Sequence, residues 1–147
     1  IFFLGRNDAL EFISKIDVLV VPSIREPLGN VIIEAGFCNK AVIASEVDGI
    51  PELINHNVSG ILIKPKNQLS IKNLPNNSVP IPDFVVMNKN LVKPREIDKN
   101  ELIFYINKLK SNSKYRKKLG EQLNKKVKLD FTIEKYFNEI HRVYSSI

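Results

Sequence analysis

Cysteine, histidine, methionine and tryptophan are nearly missing from this 147-residue chain, which has one Cys, two His, one Met and no Trp. A single thiol, Cys38, cannot close an internal disulfide, and with His56 and His141 it gives too few ligands for a structural zinc site. Metal chemistry would have to use carboxylates. No stretch approaches the roughly 20 consecutive apolar residues of a membrane-spanning helix, and residues 1–12 lack the basic start and long apolar core of a signal peptide. The expected location is the cytoplasm. What is there is ordinary: 44% apolar and 26% charged residues suit one soluble domain with a real core and exclude disorder, collagen and coiled coil.

The net charge of +6 is unevenly spread. Residues 1–60 carry 4 basic and 8 acidic groups, residues 61–100 carry 7 and 3, and residues 101–147 carry 11 and 5. The positive charge therefore belongs to the back of the chain, which argues against a whole domain built around a polyanion.

The first 64 residues alternate helical and strand-like patterns. Apolar residues at 9, 10, 12, 13 and 16 suit a helix capped by Asn7 or Asp8. Three short apolar runs follow, Val18 to Ser23, Ala41 to Ser45 and Gly60 to Ile63, with short helices expected over Asn30–Phe37 and Pro51–Asn55. Unbroken apolarity in Val18–Val21 reads as a central parallel strand covered on both faces. The expected fold class is α/β, a doubly wound parallel sheet followed by C-terminal helices. Residues 65–97, with five prolines, read as an insertion in which Phe84–Met87 and Leu91–Val92 could form a hairpin. Beyond it, apolar faces are expected at Leu102, Ile103, Ile106 and Leu109, at Tyr115, Leu119 and Leu123, and at Ile133, Tyr136, Phe137, Ile140 and Tyr144, closing over 98–147 as a small group of C-terminal helices packed on the same domain.

Chemistry concentrates in Pro22-Ser23-Ile24-Arg25-Glu26-Pro27-Leu28-Gly29-Asn30-Val31-Ile32-Ile33-Glu34-Ala35. Glu26 follows a buried strand, a Pro-x-Gly turn comes next, and Glu34 sits in the second turn of a helix, eight residues after the first Glu. Ligands of open α/β sheets bind beyond the carboxyl ends of strands, where the N–H groups of Gly29, Asn30 and Val31 would favour an anion such as phosphate. Two carboxylates beside such a site make sense as acceptors for vicinal hydroxyls, as on ribose or a hexose. The competing reading makes Glu26 a helix cap and Glu34 a solvated helix residue. A second strand–Gly–helix turn, Glu46-Val47-Asp48-Gly49-Ile50-Pro51-Glu52, repeats the logic, with Gly49 either a turn glycine or one that lets backbone approach a ligand.

From Phe3 to Pro65 these pieces, in this order, resemble the donor-binding half of retaining, nucleotide-sugar-dependent glycosyltransferases of the two-domain GT-B architecture with the E-x₇-E motif. The resemblance is carried by Phe3-Leu4-Gly5, the strand ending in Pro22-Ser23, the Glu26/Glu34 pair with Gly29, Gly49-x-Pro51-Glu52 and Gly60-Ile61-Leu62. It implies that residues 1–64 are part of a nucleotide-sugar-binding domain, with Glu34 on the ribose hydroxyls and Glu26 by the donor sugar as the catalytic group. It further implies that Leu28, Gly29, Asn30 and Val31 hold sugar and diphosphate, with Gly49 close by. Arg6 and Asn7 would pass the nucleobase. The implied reaction moves a hexose from an NDP-sugar to a glycan or lipid-linked acceptor without metal or cofactor. A sugar-nucleotide epimerase of the same architecture and a non-catalytic, flavodoxin-like interaction module are the alternatives.

Two departures stand out. Asp48 replaces a usual second glycine, and the acceptor-binding domain that the family places first is not in the sequence, which starts at Ile1 without a Met and so reads as part of a longer or split protein. That domain, in cis or trans, is an expected partner. The lysines of residues 108–128 read as a solvated helical surface or as a peripheral contact at the inner face of a membrane. Nucleic acid is not expected, since no stacking-aromatic motif accompanies the charge. Arg25 is either a phosphate contact or an exposed loop residue.

Overall fold

A computed structural model describes residues 5, 8–69 and 80–145. Helix α1 (Ala9–Lys15) leads into strand β1 (Val18–Val21), helix α2 (Asn30–Phe37), strand β2 (Ala41–Ser45), the short helix α3 (Ile50–Leu53) and strand β3 (Ile61–Ile63). Asp8 caps α1 by accepting a hydrogen bond from the Glu11 N–H at 2.8 Å. The three strands form a parallel sheet in the order β1-β2-β3, with Val18 opposite Ala41 and Ile43 opposite Ile61.

Side chains alternate across β2 and so divide the core in two. Val42 and Ala44 join Ile13, Ile32, Ala35, Leu123 and Val127 on one face, while Ala41 and Ile43 join Ile61, Ile63, Leu109 and Leu119 on the other. All five residues of β2 are buried, so the expectation of a strand covered on both faces holds for β2. Val18–Val21 is likewise covered on both faces, with Leu19 and Val21 on one part of the core and Val18 on the other, but it is not central. Among the described residues β1 is an edge of the sheet, and Val18, Leu19 and Val20 are only half-buried.

Helices α4 (Lys99–Ser111) and α5 (Ser113–Asp130) return the chain to the sheet. Asp98 caps α4, accepting from the N–H groups of Glu101 and Asn100, and these bonds hold its carboxyl below the usual carboxylate range. Helix α5 is the buttress of α2. Leu123 and Val127 press on Gly36, where a β-carbon would lie 2.8 Å from a Val127 methyl, and the buried Asn124 amide donates to the Gly36 carbonyl at 2.9 Å. Helices α4 and α5 pack on the α/β core, but the face expected of α4 is corrected: its buried side is Leu102, Tyr105 and Leu109, with Ile103 and Ile106 exposed. Helix α6 (Ile133–Tyr144) differs most. Its apolar face forms as the spacing predicts, yet none of its residues is buried, and Tyr136 and Phe137 are each 64% exposed.

The proline-rich segment leaves and rejoins the core at one place. Asn67 and Glu96 exchange backbone hydrogen bonds at 3.0 and 3.1 Å, closing its base. Beyond that base the expected hairpin forms as β4 (Val85–Met87) and β5 (Asn90–Val92), paired antiparallel. Asn88 and Lys89 both have positive φ, at 49° and 64°, as a two-residue type I′ turn requires.

Candidate functional site

The segment between β1 and α2 follows directly from its sequence. Gly29 sits at φ +91° as the residue before α2, a conformation that side chains resist, and it offers no side-chain cap to the helix. The N–H groups of Gly29, Asn30 and Val31 have no protein acceptor among the described residues, so the start of α2 is an open array of donors beyond the carboxyl end of β1. Asn30 and Glu34 lie one turn apart on one side of α2, whereas Ile32 and Ala35 are fully buried on the other. Glu34 is half-buried in the second turn of α2, and helix side chains as a rule lean toward the N-terminus.

Glu26 is half-buried in the loop before Gly29, and a β-carbon on Gly29 would lie 3.5 Å from its Cγ. Neither the Glu26 nor the Glu34 carboxylate has a hydrogen-bond or ion-pair partner among the described residues. Two half-buried acidic groups left without donors, beside open N–H groups, form a surface suited to a ligand that brings both hydroxyls and an anion. Leu28 is partly exposed at 37%, and Val31 packs against the core. Arg6 and Asn7 lie outside the described residues.

Gly49 has a different reason to be glycine from a ligand's approach. A β-carbon there would sit 2.1 Å from the Pro27 carbonyl oxygen and 3.1 Å from the Leu28 Cα. Its N–H donates to the Glu26 carbonyl at 3.2 Å, so that donor is engaged within the protein. The turn over 46–52 is pressed against the Glu26 loop, and each fixes the other.

Asp48 carries no local sequence signal of its contacts, because its partners are far away in the chain. It adopts φ +47°, and one carboxylate oxygen accepts from the Glu26 N–H at 3.0 Å while the other accepts from the Val86 N–H at 2.7 Å. The Asp48 N–H donates in turn to the Val86 carbonyl at 2.8 Å. The hairpin is thus fastened to the Glu26 loop. Between them lies an open cleft of about 450 Å³ lined by Arg25, Pro27, Gly49, Glu52, Phe84 and Leu91, among others. The Glu26 and Glu34 side chains are not part of its lining, and Arg25 is exposed on its rim.

Comparison with known proteins bears on the family and the fold. Residues 1–79 match the family model for glycosyl transferases group 1. An uncharacterised glycosyltransferase of Methanocaldococcus jannaschii is 43% identical over 74 residues, which is 48% of this chain and 19% of the relative. The α-maltose-1-phosphate synthase of Mycolicibacterium smegmatis is 47% identical over 60 residues, 41% of this chain and 16% of that protein. The matched stretch is less than a fifth of either relative's length. Among solved structures, Anabaena HepE in complex with UDP-glucose superposes with a TM-score of 0.68 at 22% identity, covering 97% of this chain and 31% of the other. That likeness is one of fold, and the fold is the one GT-B glycosyltransferases use. With more than half its length matched by the family model, the chain belongs to the group 1 glycosyl transferases.

Proposed function

We propose that the chain is the nucleotide-sugar-binding part of a retaining glycosyltransferase that moves a hexose from an NDP-sugar to a glycan or lipid-linked acceptor. The observation that carries this reading is the pair of half-buried carboxylates, Glu26 and Glu34, without a partner among the described residues and close in the chain to the open N-terminus of α2. Glu34 accepts the ribose hydroxyls, a vicinal pair that a carboxylate binds in a bidentate way. The N–H groups of Gly29, Asn30 and Val31 meet the diphosphate and the donor sugar, with Leu28 at the edge, so the leaving group's charge is carried by the helix terminus without a metal or other cofactor in the reading. Arg6 and Asn7 pass the nucleobase. The bound form of UDP-glucose in Anabaena HepE supports a nucleotide sugar as the ligand to test.

In the reaction the bond from the anomeric carbon to the diphosphate oxygen breaks as the acceptor hydroxyl closes on the same face. Its proton passes to the leaving phosphate oxygen. Positive charge develops on the sugar ring between these events, and Glu26 stabilises it and orients the ring without forming a bond. The acceptor-binding domain, in cis or trans, is the partner this reading requires, and the lysines of residues 108–128 are available to an anionic membrane surface.

Product analysis tests this reading. The protein that carries this chain is incubated with UDP-, GDP- and ADP-hexoses, with and without a glycan acceptor. Release of free nucleoside diphosphate that depends on the acceptor is expected, with the anomeric configuration of the donor kept in the product. Conversion of the donor sugar with no acceptor present would mean an epimerase, and neither binding nor conversion would mean an interaction module.

A further inference from the structure

We propose that Asp48 is a positioning residue, through which the β4–β5 hairpin sets the placement of the Glu26 loop. The hairpin belongs to the segment inserted after β3, and only tertiary contacts tie it to residues 24–29. Among the described residues the hydrogen bonds that link them pass through one side chain. Each Asp48 carboxylate oxygen has its own backbone donor, Glu26 N–H at 3.0 Å and Val86 N–H at 2.7 Å.

Strand geometry explains why Val86 is free to take part. In a hairpin closed by the two-residue turn Asn88-Lys89, Met87 and Asn90 exchange hydrogen bonds and the next pair, Val86 and Leu91, does not. Both backbone polar groups of Val86 therefore point away from β5, and both are taken by Asp48, the N–H by its carboxylate and the carbonyl by its N–H. Meanwhile Val85 is buried in the core, which anchors the strand from its other face. A glycine at position 48 would supply no carboxylate, so neither the hairpin nor the Glu26 N–H would be held in this way. Left-handed backbone at Asp48, φ +47°, aims its side chain and its N–H at the two neighbours together.

Glu26 itself makes no side-chain bond among the described residues, so its placement depends on its backbone, which Asp48 and Gly49 grip by the N–H and the carbonyl. On the donor-binding reading given above, which this inference presupposes for its effect on turnover, loosening Asp48 disturbs the group that acts on the transition state and spares the nucleotide grip at Glu34. Asp48→Asn is the first variant, because an amide has one acceptor where two N–H groups need one each. Val86→Pro is the second: it deletes the Val86 N–H without removing a β4–β5 hydrogen bond.

Two measurements are made on each variant. In the 147-residue chain, amide hydrogen exchange at Glu26 is expected to quicken tenfold or more while Ile32 and Val42 stay protected. In the protein that carries the chain, kcat with the nucleotide sugar is expected to fall about tenfold with KM for the donor changed less than twofold. Glu26 exchange unchanged in both variants would overturn the inference, as would faster exchange with kcat and KM both intact. A wild-type protein that neither binds nor turns over nucleotide sugars would overturn the donor reading alone, with the exchange at Glu26 still deciding whether Asp48 holds the loop.

Discussion

Gly49→Ala is expected to destabilise the protein by about 3 kcal/mol, at the upper end of what overpacking costs in well-packed proteins. The reason is local and steric. The added β-carbon would lie 2.1 Å from the Pro27 carbonyl oxygen and 2.9 Å from its carbonyl carbon, both backbone atoms with no flexible end to swing aside. Backbone strain at position 49 itself contributes nothing, because φ is −82° and any residue adopts it. Relief would require the 46–52 turn to move off the Glu26 loop, stretching the Gly49 N–H bond to the Glu26 carbonyl and the Asp48 bond to the Glu26 N–H. Urea denaturation of the wild-type and variant chains checks this, and a midpoint within error of wild type would show that the turn does not press on the loop. If the variant folds, its donor turnover is expected to fall as well.

Glu26→Gln is expected to lower kcat by about 100-fold or more with donor KM changed only a few-fold, the range found when one preorganised stabilising group is removed from an active site. The substitution keeps the size of the side chain but replaces one acceptor oxygen by an NH2 donor, and on the donor-site proposal it would remove the negative charge set against the positive charge that develops on the sugar. Glu52→Gln, an exposed residue on the neighbouring cleft, is the matched control and is expected to change kcat less than twofold. Steady-state kinetics on both variants would separate a specific effect of Glu26 from a general effect of local charge. Equal small effects in the two would remove Glu26 from the chemistry.

Local signals in the sequence located most of the fold. The bounds of α2 and β2 coincide with the helix and strand read from apolar spacing, because Gly29 and Asn39 punctuate the chain at each end; Asn39 takes φ +56°, the left-handed conformation that ends a helix. The hairpin was legible from two short apolar runs around Asn88-Lys89-Asn90. What escaped was whatever depends on a partner elsewhere. Spacing identified an apolar stripe on α4, but Tyr105 and not Ile106 faces the sheet, since the pattern allows either side of Leu102 and Leu109 and only the packing chooses. On α6 the stripe is real and uncovered, because amphipathicity specifies a face and not its occupant. Val18–Val21 is covered on both faces as its composition implies, yet it sits at an edge of the described sheet, and apolarity alone does not distinguish a central strand from an edge strand packed on both faces.

At the candidate site the same division holds. The placement of Glu26, Gly29 and Glu34 on loop, turn and helix was legible because strand, turn and helix follow one another within a few residues. Asp48 was not, since its bonds span 22 residues to Glu26 and 38 to Val86, and a short-range reading registers only a departure from glycine. Gly49 was legible as a glycine that permits close approach, but the approaching group is the Pro27 carbonyl.

The ribose role of Glu34 is the most direct point of attack on the donor-site reading. Isothermal titration of the protein that carries this chain with UDP, GDP and ADP, repeated on Glu34→Ala, measures it without needing an acceptor. At least one nucleotide is expected to bind, and Glu34→Ala is expected to weaken that binding tenfold or more, about 1.4 kcal/mol for each factor of ten. Undiminished affinity in Glu34→Ala, or no binding of any of the three by the wild-type protein, would contradict it.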